Sequence, residues 1–168
     1  MKLEQVSNNV LARRRLVTPC RSVLVMTAVL GALAGTALAL DNGFTTPPLG
    51  WSSWNHFGRN IDGTTLREIA DAMAANGLAA AGYRYVNLDD GWALNRTSEG
   101  ELFADPVKFP PSVKGANDGV KLVADYVHSK GLLFGIYTAR GSRTCVGRPG
   151  SDSHEAQDAA TWAAWGVE

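Results

Sequence analysis

The sequence predicts an α/β fold built on parallel strands, and three observations carry the prediction. Short β-branched or aromatic runs at residues 49–55, 83–88 and 132–137 alternate with stretches of helical apolar periodicity. That strand–helix order is the pattern of a parallel sheet with right-handed crossovers. No glycine-rich phosphate loop separates the first strand from the first helix, which weakens a nucleotide-binding sheet. Two architectures satisfy the pattern, a doubly wound open sheet and a (β/α)8 barrel. A barrel takes about 250 residues. A chain of 168 residues would therefore supply three of its eight βα units.

The first 39 residues are expected to be a secretory signal. Arg13, Arg14, Arg15 and Arg21 precede an apolar stretch from Val23 to Leu38 that ends in Ala37-Leu38-Ala39, a small-residue cleavage pattern. The stretch is shorter than the ~20 residues a spanning helix needs. Cleavage would leave residues 40–168 as the folded part, beginning LDNGF.

LGWSSWN (49–55) follows the turn pair Pro47-Pro48 and is predicted as the first strand. A helix follows, with Thr65 and Glu68 at capping-box spacing, an apolar stripe of Leu66, Ile69 and Met73, and Asn76-Gly77 as its stop. The second strand is Tyr83 to Leu88. The connection from Gly91 to Gly115, with prolines at 106, 110 and 111, is long and polar and therefore a candidate functional loop. Asn117 or Asp118 would cap a second helix whose buried face is Val120, Val123, Ala124 and Val127, closed by Lys130-Gly131. LLFGIY (132–137) is the third strand. A loop from Thr138 to Gly150 leads to a helix from about Ser153 to Trp165, with Gly166 in the terminating position and Val167-Glu168 opening a fourth strand.

Charge and cysteine content narrow the function classes. Residues 1–39 carry 5 of the 16 basic and 1 of the 16 acidic residues, leaving 11 against 15 afterwards. A mildly acidic chain without a basic block argues against nucleic acid and anionic membranes as partners and leaves small neutral ligands open. Cys20 leaves with the signal, so Cys145 is alone in the remainder and is either a free thiol or half of a bridge with a partner elsewhere.

In both architectures ligands bind beyond the carboxyl ends of the strands. Those ends are predicted at Trp54, Asp89-Asp90 and Tyr137. Aromatic faces pack against the C–H face of a sugar and carboxylates accept bonds from neighbouring hydroxyls, so this residue set suits carbohydrate binding. Two buried carboxylates need donors, which a polyol supplies. The competing assignments are packing for Trp54 and Tyr137, and a helix cap or metal site for Asp89-Asp90, although no histidine lies near the pair in sequence. Adjacent strand residues point to opposite faces, so Asp89 and Asp90 are poorly placed to flank one scissile bond and are expected to bind rather than catalyse.

Several stretches together carry a more specific signal: TPPLGWSSWNHF, AGYRYVNLDDGW, GELFADPVKFP, LVADYVHSKGLLFGIYT and GSRTCVGRPGS followed by DAATWAAWGVE. In order and spacing they resemble the alpha-galactosidases of glycoside hydrolase family 27, over nearly all of residues 40–168. The resemblance implies the N-terminal part of a (β/α)8 catalytic barrel, a C-terminal antiparallel β domain, and hydrolysis of terminal alpha-linked galactose with retention, without a cofactor or metal. Carried over by position, Asp89 and Asp90 match the pair that grips the sugar's 4- and 6-hydroxyls, Trp54 an aromatic lining the pocket and Tyr137 a polar rim residue. The nucleophile and the acid/base would follow Glu168, as would the disulfide partner of Cys145, so residues 1–168 alone are expected to be inactive. Many relatives bridge a cysteine after the acidic pair to the loop after the first strand. Here Gly91 and Gly58-Arg59 stand there instead, and a looser first loop is expected. Sister activities, alpha-N-acetylgalactosaminidase and beta-L-arabinopyranosidase, are the alternatives within the enzyme class, and a noncatalytic sugar-binding protein is the alternative outside it.

Asn95-Arg96-Thr97 is a glycosylation sequon in the long connection, which agrees with export, either outside the cell or to a vacuole or lysosome. His56, His128 and His154 are expected to have no functional role. Three βα units alone expose two sheet edges and an uncovered face. Residues 40–168 expressed alone are therefore predicted to be insoluble or molten, and a sharp cooperative melt would contradict this.

Overall fold

The computed structural model describes residues 46–168. The predicted signal, its cleavage point and the first residues after it lie outside the described residues. Among those described, no helix is long and apolar enough to cross a membrane.

Three parallel strands form the sheet: β1 (Gly50–Ser52), β2 (Tyr85–Leu88) and β5 (Leu133–Ile136), in the order β1-β2-β5. Their register aligns Trp51 with Val86 and Phe134, and Leu88 with Ile136. Because side chains alternate, these residues share one face, and Gly50, Ser52, Tyr85, Asn87, Leu133 and Gly135 share the other. The first face is covered by helices: Val86, Leu88 and Phe134 are fully buried, in one core with Leu66, Ala70 and Met73 of α2 (Gly63–Ala75) and Val120, Val123, Ala124 and Val127 of α3 (Gly119–Ser129). The second face carries Asn87 against Gly135, where a Cβ would stand 2.0 Å from Asn87 Oδ1, so only glycine leaves room for that amide.

Both helix faces agree with the sequence pattern, but their starts differ from it. The cap of α2 is Asp62, whose carboxylate accepts from the Thr65 amide at 2.8 Å. Thr65 and Glu68 consequently lie inside the helix, and the expected capping box does not form. Asp118 precedes α3 as predicted, yet its carboxylate turns back to the Ser112 amide and hydroxyl instead of capping. Asn117 is spent on the Ala104 amide and the Leu102 carbonyl.

The strands are shorter than predicted. Residues 83 and 84 are exposed approach, with both the Arg84 and Tyr85 amides donating to the Leu49 carbonyl. Trp54 lies outside β1, in the single helical turn α1 (Trp54–Phe57), because the chain turns once Ser53 has made the last ladder bond to the Asn87 carbonyl. The long connection after β2 contains an unforeseen antiparallel hairpin, β3 (Ala93–Arg96) with β4 (Leu102–Ala104). At the C-terminal end, α4 (Glu155–Trp165) stops at Gly166 in the left-handed conformation, as its sequence predicts. The fourth strand is represented by a single bond, from the Glu168 amide to the Phe134 carbonyl.

The hairpin is seated by Arg96. Its guanidinium donates to both carboxylate oxygens of Asp158 on α4 at 2.7 and 2.6 Å, and to the carbonyls of Gly100 and Gly150 at 2.7 Å each. Asp158 is buried at 1% exposure and accepts a further bond from the Ser151 hydroxyl. Removing one partner strands a buried charge. In the full-length protein, Arg96→Ala is predicted to destabilise by about 3–5 kcal/mol, read as a lower denaturation midpoint, with Arg96→Met and Asp158→Leu combined losing less than Arg96→Ala alone.

Candidate functional site

Two serines at the end of β1 fix the acidic pair. The Ser53 hydroxyl, fully buried, accepts from the Asp89 amide at 2.9 Å, and the Ser52 hydroxyl donates to Asp89 Oδ2 at 3.2 Å. Asp89 Oδ1 takes the Asp90 amide at 2.7 Å. The pair therefore lies past the last strand residue, Leu88, in a turn shaped by its own carboxylates.

Asp90 is buried at 3% exposure. One of its oxygens accepts from the Gly91 amide at 2.7 Å and the other from the Val146 amide at 3.0 Å, in the loop after β5. The expectation that a bound polyol must supply the donors is thus corrected: the chain provides them, and each carboxylate keeps lone pairs for further hydroxyls. Asp89 is half-buried and Asp90 buried, so Asp89 is the more open of the two.

Tyr137 follows β5, and its amide extends the ladder to the Leu88 carbonyl at 2.9 Å. Its own carbonyl is held by the Trp92 indole at 2.8 Å, and Trp92 in turn packs edge-on against Trp165 with ring centres 5.9 Å apart. The phenol hydroxyl lies 3.8 Å from Cys145 Sγ. That thiol, then burial, then the negative charges of Asp90 and Asp89 raise the phenol's pKa, so Tyr137 remains a neutral donor at physiological pH. Cys145 itself is exposed and unbridged.

Of the predicted residues, some form a cluster and two, Trp54 and Asn95, stand on other elements. Asp89, Asp90, Tyr137 and Cys145 converge at the carboxyl ends of β2 and β5. Trp54 stands on α1, 38% exposed, next in sequence to the serine that anchors Asp89. Asn95 is exposed on β3, its register partner being Phe103. Ser52, Ser53 and the Val146 amide were missed; the only signal for the serines is a pair of small hydroxyl residues where a strand meets the ligand rim. Among the described residues no group of three or more histidine, cysteine or acidic side chains could hold a metal. A recess of about 240 Å³ opens on the sheet face beside Tyr85, Asn87, Gly135 and Glu168. A larger groove of about 560 Å³, between the hairpin and residues 106–117, contains none of the cluster.

Residues 46–168 match the sequence profile of the family described as Alpha galactosidase A, Melibiase_2. The chain belongs to this family. It is 54% identical over 131 residues to an alpha-galactosidase of Cyamopsis tetragonoloba, a match covering 76% of this chain and 30% of that protein. The crystal structure of alpha-galactosidase I from Mortierella vinacea superposes with a TM-score of 0.70 at 42% identity, over 76% of this chain and 31% of the other. An alpha-galactosidase from Saccharomyces cerevisiae with raffinose gives 0.68 and 40%, over 73% and 26%. The chain thus spans about a third of the length of the relatives it matches, and its three parallel βα units are the opening part of the (β/α)8 barrel in this alpha-galactosidase family.

The thiol beside Tyr137 has a measurable consequence. In the full-length protein under reducing conditions, which leave the thiol free, Cys145→Ala is predicted to bring the phenol's ionisation back down, followed by near-ultraviolet difference titration against a Tyr137→Phe control. An unmoved midpoint would show that burial and the charges of Asp90 and Asp89 set the shift without the thiol.

Proposed function

We propose that the full-length protein hydrolyses terminal non-reducing alpha-D-galactose from galactosides with retention of configuration, and that Asp89 and Asp90 bind the departing sugar. The observation that carries the reading is the convergence of two carboxylates and a neutral phenol at the strand ends of a chain belonging to the Alpha galactosidase A family. A relative of 40% identity is described with raffinose, which agrees with a galactoside substrate.

In this reading the more open Asp89, and Asp90 from a rigid, buried position, accept bonds from the sugar's 4- and 6-hydroxyls. Tyr137 donates a hydrogen bond at the rim, and Trp54 offers an aromatic face to the sugar's C–H face. Binding of this kind raises the rate when the contacts tighten as the ring flattens toward the oxocarbenium-like transition state. The carboxylate nucleophile and the acid/base belong to sequence beyond Glu168, where Cys145 also finds its disulfide partner. Formation of that bridge would remove the thiol from Tyr137. Export through the secretory pathway and glycosylation of Asn95 complete the proposal, the latter supported by that residue's exposure. Neighbours described as an alpha-N-acetylgalactosaminidase and a beta-L-arabinopyranosidase are 24% identical and share the fold alone.

The test is turnover of 4-nitrophenyl alpha-D-galactoside by the full reading frame beside an Asp89→Asn variant. Activity in the parent and a loss on the order of 100-fold in kcat/KM in the variant are expected, the size of a lost charge-assisted contact. A parent inactive on this and on the sister glycosides would favour a noncatalytic sugar binder.

A further inference from the structure

Gly91 and Arg59 belong to loops that follow different strands, yet their backbones touch. A Cβ on Gly91 would stand 2.9 Å from Arg59 Cα, and Gly91 has φ of 97°. No side chain fits between them, so the contact itself offers nothing that holds the loops together. The carbonyls of both residues are instead bound by one cation: Lys108 Nζ donates to Arg59 O at 2.6 Å and to Gly91 O at 3.0 Å.

Lys108 is itself fixed in place. Its carbonyl accepts the Gly63 amide at the start of α2 at 2.9 Å. Its neighbour Phe109 is 1% exposed and its amide donates to the Asp105 carbonyl, while the Asp105 amide donates to the Trp92 carbonyl. The half-buried ammonium is thus delivered from a segment anchored on both sides. Gly91 also gives its amide to Asp90, so whatever fixes Gly91 fixes that carboxylate. A charge-assisted staple thus occupies the junction at which a looser first loop is expected.

We infer that Lys108 is a positioning residue for the sugar site: it locks the loop after β1 to the loop after β2 and thereby sets the orientation of Asp89 and Asp90. The inference rests on the reading of those two carboxylates as sugar ligands. Without the ammonium, two carbonyls face each other with no donor between them, and the turn carrying the pair loses its outer support. A residue that orients ground-state and transition-state contacts alike changes affinity more than the chemical step.

The experiment uses the full-length protein carrying Lys108→Met, which keeps the stem and removes the donors. Expected are a rise of about tenfold in KM and in the dissociation constant of D-galactose, a kcat changed far less, a melt that stays cooperative, and faster amide hydrogen exchange at Asp90 and Gly91. Parent-like galactose affinity with parent-like exchange would overturn the inference. So would a uniform fall in kcat, affinity and melting temperature, which marks a general loss of structure. If the parent hydrolyses no glycoside, the glycosidase reading fails, and the staple is still decided by exchange at Asp90 and Gly91, unchanged protection overturning it.

Discussion

The buried ion pair of Arg96 and Asp158 is the constraint on which the rest of the rim depends. A guanidinium is planar and rigid, and here its donors reach four oxygens on three segments: the hairpin turn, the end of the loop after β5, and helix α4. Desolvating two charges is costly, and the cost is offset only because both oxygens of Asp158 and both terminal nitrogens of Arg96 are satisfied. The arrangement fixes the end of the loop 138–150. That loop brings the Val146 amide to Asp90 and Cys145 to Tyr137. A charge pair between the hairpin and α4 thus acts on the environment of Asp90 through the loop that it anchors.

The fold was legible in the sequence where burial is periodic. The stripes on α2 and α3 and the burial of Val86 and Leu88 follow from apolar spacing, since each element has one face to hide. Strand ends were less legible because a strand stops where its ladder partner stops: β1 ends after Ser52 because the chain bends once Ser53 has bonded Asn87, and no local propensity records that. The hairpin was missed for a related reason. Its strands are short, its register is irregular near Asn95, and its stability comes from Arg96, a side chain that reads on paper as a solvated charge.

The candidate site was legible as residue types and illegible as partners. Two carboxylates after a strand and an aromatic at the next strand end point to a ligand rim because of where parallel sheets bind. That Asp89 is held by Ser52 and Ser53, or that Asp90 accepts from Val146, depends on contacts 36 or more residues apart in sequence. Trp54 was placed one element too early for the same reason: an alternating aromatic run continues as a pattern past the point where the backbone has turned. Capping was misassigned at α2 because Asp62 and Thr65 both satisfy the local rule, and only the folded chain shows which one the helix begins behind.

The serine contacts at the end of β1 have a consequence for folding quality control. Ser53 meets the Asp89 amide only if Ser52 lies opposite Asn87, and a slip of one residue would turn every side chain of the strand to the wrong face. Correct strand registration is therefore a condition for assembling the acidic pair, beside the local turn that its own carboxylates shape. A molecule whose first two strands mispair loses the serine contacts that order these carboxylates. Order at these carboxylates therefore reports native strand pairing, which helical content cannot do.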